Sequence, residues 1–249
     1  MTHSVHTLES PSESHGGAEK ATAVDTIRES LAARASFYRM LSSLYFKELD
    51  EAGIEHLQGV QLSSLTLGVP LIDEGLTAMD SYLSRCSKTG RQELAVDFAG
   101  SILAAGSYEE RRATPYESVF TSETGLLMQE ARDDVYRFYC DVNIGVEPSL
   151  QTPEDHLSFE CEFMATLAEQ ASAALDRNDL AEAQRLMNIQ ASFHHTHLEN
   201  WIDDLCDTLA QCARTRFYRG VAAVTRGFIH EEGIMIADTQ EALSDLLPS

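Results

Sequence analysis

The adjacent acid and imidazole Asp155-His156 are the residues of this chain best placed to do chemistry, and Glu160 follows four residues after the histidine. The pair lies in Thr152-Pro153-Glu154-Asp155-His156-Leu157. An imidazole backed by a carboxylate can hydrogen-bond a peptide backbone, while the acids face a guanidinium. The same trio can pass protons as general acid and base. No separate nucleophile or oxyanion-binding device completes such a site. The plainer alternative is a capping acid and a histidine that satisfies a nearby carbonyl.

Two other clusters carry candidate chemistry. Tyr116-Glu117-Ser118-Val119-Phe120 follows Pro115 in a loop-like stretch from Gly106 to Gly125. Tyr116, Ser118 and Phe120 can form an aromatic wall for an apolar or amphipathic segment, or simply plug the core. His194-His195-Thr196-His197 puts two imidazoles three residues apart on one predicted helix face, a spacing seen in some metal sites. Helix packing is the plainer account. No H-E-x-x-H, E-x-x-H, G-x-x-x-x-G-K-(S/T) or G-x-G-x-x-G occurs, so neither a zincin, a di-iron bundle nor a standard nucleotide site has support.

Helices must position these residues. Thr152 has the type of an N-cap and Pro153 that of a first helical residue, which predicts a helix over 153–176 with Asp155 in its first turn. Glu160 would then share a face with His156. Apolar residues recur at spacings of three and four from Ile27 to Tyr45, predicting a helix over 24–49. Similar patterns predict helices over 51–60, 70–85, 92–103, 130–142 and 214–230, one or two over 179–212, and a short one over 237–247. No strand alternation appears. The expected fold is all-α, a single helical bundle of about ten helices, with a disordered tail over 1–20, one domain over 21–232, and a tail or short helix over 233–249.

The 249 residues carry 40 acids against 18 bases, a formal charge of −22. Such a surface repels nucleic acid and anionic membrane and attracts basic segments. Five cysteines without a C-x-x-C point to free thiols in a reducing compartment. No apolar run reaches membrane-spanning length, and residues 1–20 lack the apolar core of a signal peptide.

The stretch Pro153-Glu154-Asp155-His156-Leu157, running on through Phe159, Glu160, Phe163 and Met164, resembles the signature of the TorD/DmsD/NarJ family of cytoplasmic chaperones for molybdenum-cofactor oxidoreductases. The order of other pieces is similar too: Asp97-Phe98-Ala99-Gly100, then Pro115 to Phe120, then Tyr136-Arg137-Phe138-Tyr139, then Phe193, His197, Leu198, Trp201 and Phe217-Tyr218. Cys161 and Asp203 depart from the pattern, where Leu and Pro are usual. The resemblance spans residues 27–232. It implies a TorD-like helical domain that binds without catalysis and needs no cofactor or metal. It implies a partner, the catalytic subunit of a molybdopterin oxidoreductase of the dimethyl-sulfoxide-reductase (DMSO-reductase) type, with its twin-arginine leader, held until cofactor insertion. The implied leader groove lies between Tyr116, Ser118 and Phe120 on one side and Pro153, Asp155, His156, Phe159 and Glu160 on the other. A cytoplasmic monomer or homodimer without stable membrane insertion is expected. The alternatives are a NarJ-like assembly factor for a non-exported molybdoenzyme, and a metal-dependent helical enzyme using His194 and His197.

Overall fold

A computed structural model describes residues 12–103 and 112–247. Among them lie ten α-helices and no strand, in agreement with the all-α expectation. In chain order they are α1 (Ser12–Phe46), α2 (Glu51–Val60), α3 (Pro70–Leu83), α4 (Lys88–Ser101), α5 (Glu117–Thr121), α6 (Glu130–Asp141), α7 (Leu157–Asp176), α8 (Leu180–Phe193), α9 (Ile202–Cys212) and α10 (Arg216–Leu246). A π-helical turn, His194–Leu198, follows α8. The tail expected over 1–20 lies outside the described residues up to residue 11, and the backbone is helical from Ser12.

Two helix pairs dominate the packing. Along α1, Leu31, Tyr38, Leu41 and Tyr45 are buried, and this stripe meets α7. The facing side of α7 offers Cys161, Ala165, Ala168 and Ala171, small residues that let the two axes approach. Helix α10 packs on α3 and also touches α8 and α9. Its start is set by Asp97 of α4, whose carboxylate accepts from the Arg214 N–H at 2.9 Å, the Thr215 N–H at 2.7 Å and the Thr215 hydroxyl at 2.6 Å. An acid at a helix N-terminus satisfies orphan donors and complements the dipole.

The helices expected over 214–230 and 237–247 are one, running through Gly233 to Leu246. Glycine costs a helix only about 1 kcal/mol, and here its bare Cα has a use: an added Cβ would sit 3.2 Å from both His194 and Glu199. Beyond it Ile236, Leu243 and Leu246 are buried, and that burial keeps the backbone helical.

A buried ion pair joins four helices. Arg34 of α1 donates to Glu232 of α10 through Nε at 2.7 Å and Nη2 at 3.0 Å, and Nη2 also reaches Gln190 of α8 at 2.8 Å. Gln190 in turn donates to the Met164 carbonyl of α7 at 2.8 Å. The bidentate geometry and the added Gln190 contact offset much of the cost of removing both charges from water, although Arg34 Nη1 has no hydrogen-bond partner among the described residues.

The α3–α10 crossing is closest at Gly75 and Gly220. A Cβ on Gly75 would lie 2.8 Å from the Gly220 carbonyl oxygen, and one on Gly220 would lie 2.7 Å from that of Gly75. Backbone cannot rotate away as a side chain can, so Gly220→Ala should destabilise the chain by about 1–3 kcal/mol. Gly59→Ala in α2, where nothing lies within 4 Å, should be neutral or stabilising by up to ~1 kcal/mol. Urea midpoints at constant m-value check both.

Candidate client-binding site

Helix α7 begins later than its sequence indicates. Thr152 and Pro153 are not its first residues; His156 is its N-cap, accepting from the Ser158 N–H through Nδ1 at 3.1 Å. The reason lies across the fold. Pro115-Tyr116-Glu117 runs antiparallel to Asp155-His156-Leu157, with Glu117 N–H to Asp155 C=O at 3.0 Å and Leu157 N–H to Pro115 C=O at 2.9 Å. Those two bonds hold His156 extended, at φ −79° and ψ 129°, so the helix starts only at Leu157. Arg132 of α6 then clamps the preceding turn through both Glu154 oxygens at 2.6 and 2.9 Å.

Asp155 is a cap for a different helix from the one expected. Its Oδ2 accepts from the Ser118 N–H at 3.0 Å and from the Ser118 hydroxyl, so it closes the N-terminus of α5, which lay unrecognised inside the expected loop. Asp155, Ser118 and Glu160 are buried, and His156 nearly so. The half-buried residues are Tyr116, Phe120, Pro153 and Phe159. The sequence-predicted set is thus brought together, but in two layers: polar groups inside and rings at the surface. Tyr116 meets the His156 ring edge-on at 4.7 Å. Phe159 lies 5.8 Å from that ring and 5.7 Å from Phe46, which is 37% exposed. Phe120 turns away to pack on Trp201 at 5.5 Å. Past Phe159 opens a groove of about 180 Å³ lined mainly by Ile144, Val146, Leu150 and Phe163. The patch can take apolar side chains through aromatic contact.

Beneath it the electrostatics are unusual. Both Glu160 oxygens lack a hydrogen-bond partner among the described residues, as does Asp155 Oδ1. Burial first, then the nearby charges of Glu117 and Asp155, push the Glu160 carboxyl well above the ordinary carboxylate range. Burial alone pushes His156 down to about 4, so its ring is neutral and free to accept at the cap.

The histidine cluster is not a metal pair. His194 turns to the Ile229 carbonyl at 2.8 Å, whereas His197 Nδ1 meets Glu117 Oε2 at 2.9 Å. The π turn separates them: its Glu199 N–H to His194 C=O bond, at 3.0 Å, spans five residues and rotates residues three apart off a common face. Among the described residues no group of three or more His, Cys, Asp or Glu could hold a metal ion. Sequence reasoning missed the partnership of Glu117, His197 and Asn200, whose amide donates to Glu117 Oε1 at 2.7 Å. Both ends had been singled out, but nothing local connects residues 80 apart.

The family model described as nitrate reductase delta subunit matches residues 70–207, more than half of the chain. This chain belongs to the TorD/DmsD/NarJ family. Relatives named chaperone protein TorD include one from Vibrio parahaemolyticus, 27% identical over 78% of this chain and 90% of its own length. Another, from Vibrio cholerae, is 29% identical over 80% and 90%. One from Shewanella loihica is 24% identical over 78% and 88%. The bridge between residues 115–117 and 155–157 lies wholly inside the span matched by the TorD/DmsD/NarJ family model.

Two pH effects follow for this family member. His156 titrates at about 4 when folded against an ordinary 6.5, so the unfolded chain binds more protons between those values. Its stability contribution is therefore lost as pH falls from about 6.5 to about 4. His156→Asn keeps a capping acceptor without that proton, and its melting temperature should fall less than that of the parent over this range. For Glu160 the shift is upward, so the folded chain binds more protons above 4.5, and stability is lost as pH rises through the folded value. Glu160→Gln should gain on the parent in melting temperature between pH 5 and 8. A constant gap across that range would contradict the buried, protonated carboxyl.

Proposed function

We propose that this chain is a cytoplasmic maturation chaperone for a molybdopterin oxidoreductase, acting by binding without catalysis. It takes the twin-arginine leader, or the apo form, of a DMSO-reductase-type catalytic subunit. By holding that segment it delays export until the cofactor has been inserted. Family membership supports the chaperone role. The observation that carries the site is the half-exposed ring cluster Phe46, Tyr116 and Phe159 around a buried polar layer. Tyr116, Pro153 and Phe159 would touch the client. Ser118, Asp155, His156 and Glu160 would hold those surfaces in register from beneath, and Phe120 would brace them against Trp201. Among the described residues no helix is long and apolar enough to cross a membrane, which suits a chaperone that meets its client before export. The description of the matching family model favours one second reading, a NarJ-like factor for a client that is not exported.

Calorimetric titration of the purified chain with a synthetic leader-type peptide tests the proposal. Tyr116→Ala with Phe159→Ala should weaken binding by roughly tenfold or more, as loss of interface aromatics typically costs above 1 kcal/mol each. Their melting temperatures should show that the fold survives. Unchanged affinity in the double variant would remove the ring cluster from the site.

A further inference from the structure

A basic trough lies at the start of α4. Two adjoining hollows of about 560 and 460 Å³ share Tyr82, Thr89, Glu93 and Arg216 in their walls. Arg214 borders the first and Arg85 the second. All three arginines are exposed, and none forms an ion pair among the described residues. That is unexpected in a chain of 40 acids and 18 bases, where a carboxylate is seldom far away. Arg39, Arg132, Arg185 and Arg226 each find one.

Two helix starts meet at the trough. Ser87, the N-cap of α4, and Thr215, the N-cap of α10, both stand in its wall. Helices α2, α3 and α5 to α9 each carry an acid in the first turn, where the dipole favours one. Helices α4 and α10 carry none there, and open instead with Lys88 and Arg216. A base at that position works against its helix. For Arg85, Arg214 and Arg216 no carboxylate within the described residues offsets this charge, whereas an anionic partner would.

The layout selects the kind of anion. The middle of the trough is close to neutral, because Glu93 sits there with Arg216 and accepts from the Tyr82 hydroxyl at 3.0 Å. A compact polyanion such as phosphate would meet that carboxylate. Acids spaced along a chain can reach Arg85 on one flank and Arg214 on the other. Val96, 52% exposed, and the Tyr82 ring offer an apolar side chain a place between the charges. We propose that this trough docks an acidic segment of a partner protein, its carboxylates on Arg85 and Arg214 and an apolar residue on Tyr82 and Val96. The rest of the surface repels such a segment, which confines it to the trough. The site is separate from the ring cluster. The Ser101 carbonyl, at the opposite end of α4, accepts from the Ala113 N–H at 3.0 Å, two residues before the Pro115–Glu117 pairing. The 14 residues of α4, about 20 Å of helix, lie between.

The probe is a synthetic peptide of glutamates interleaved with leucines, titrated against the full chain at low and moderate salt. The parent should bind it, and less tightly as salt rises. The trough variant is Arg85→Gln with Arg214→Gln and Arg216→Gln, all exposed positions. A loss on the order of tenfold at low salt is expected, the size that a few exposed charge contacts give. A peptide with glutamine for every glutamate should bind the parent as weakly as the acidic peptide binds the variant. The melting temperature of the variant should equal or exceed that of the parent; a lower one would show that the arginines serve the fold instead. Equal binding of the acidic and glutamine peptides by the parent would overturn the proposal. So would displacement of the acidic peptide by inorganic phosphate at equal concentration, which would mark a small-anion site. The Tyr116→Ala, Phe159→Ala double variant should bind the acidic peptide as the parent does. Weakened binding in that double variant and none in the trough variant would overturn the trough while leaving the ring cluster standing.

Discussion

The short antiparallel pairing of residues 115–117 with 155–157 is the constraint on which the functional end of this molecule depends. Two backbone hydrogen bonds and the Asp155 carboxylate join segments forty residues apart. They delay the start of α7, begin α5, and put Glu117 on the inner side of that short helix. From there Glu117 orients His197, and Tyr116 is left beside the His156 ring. The Tyr116–His156 ring contact and the Glu117–His197 pair are therefore set by one joint. Helices supply its walls, but an isolated non-helical contact sets its geometry.

The chain treats its charges in contrasting ways. Most carboxylates stay in water, where mutual repulsion is screened. Arg34 and Glu232 are buried as a bidentate pair with Gln190 beside them, so neither charge is left uncompensated. Glu160 is buried without a hydrogen-bond partner among the described residues, and burial raises its carboxyl well above the ordinary carboxylate range, which favours the neutral form. It lies one helical turn beyond the His156 cap, directly under the rings. Both Glu160 oxygens and Asp155 Oδ1, unsatisfied among the described residues, lie at the joint.

This division suits the proposed role of holding another chain without acting on it. A core of long helices carries an end made of short elements, half-buried rings and exposed acids. A leader that is basic and then apolar needs both kinds of surface, and a single uniform groove would serve one part poorly. The low cost of exposing Phe46 or Leu126 in a chain of charge −22 also matters, since net charge opposes self-association through such patches.

Sequence alone determined the class of the fold and most helices. Apolar spacings of three and four along Ile27–Tyr45 or in α7 report a buried stripe wherever it is buried, because helical periodicity is local. The residue order Pro153, Asp155, His156 likewise carried the family resemblance. What only the tertiary structure decided was each functional residue's role. Thr152 and Pro153 have the right types to open a helix, yet strand-like pairing with Pro115–Glu117 overrides them. Gly233 looks like a helix end, yet contact with His194 and burial of Ile236 keep α10 whole. Asp155 caps a helix that its own neighbourhood does not contain, and His197 finds its carboxylate 80 residues away. Capping preferences and periodicities are decided within a few residues; hydrogen bonds between distant segments depend on where the packed helices deliver them, and no local pattern encodes that.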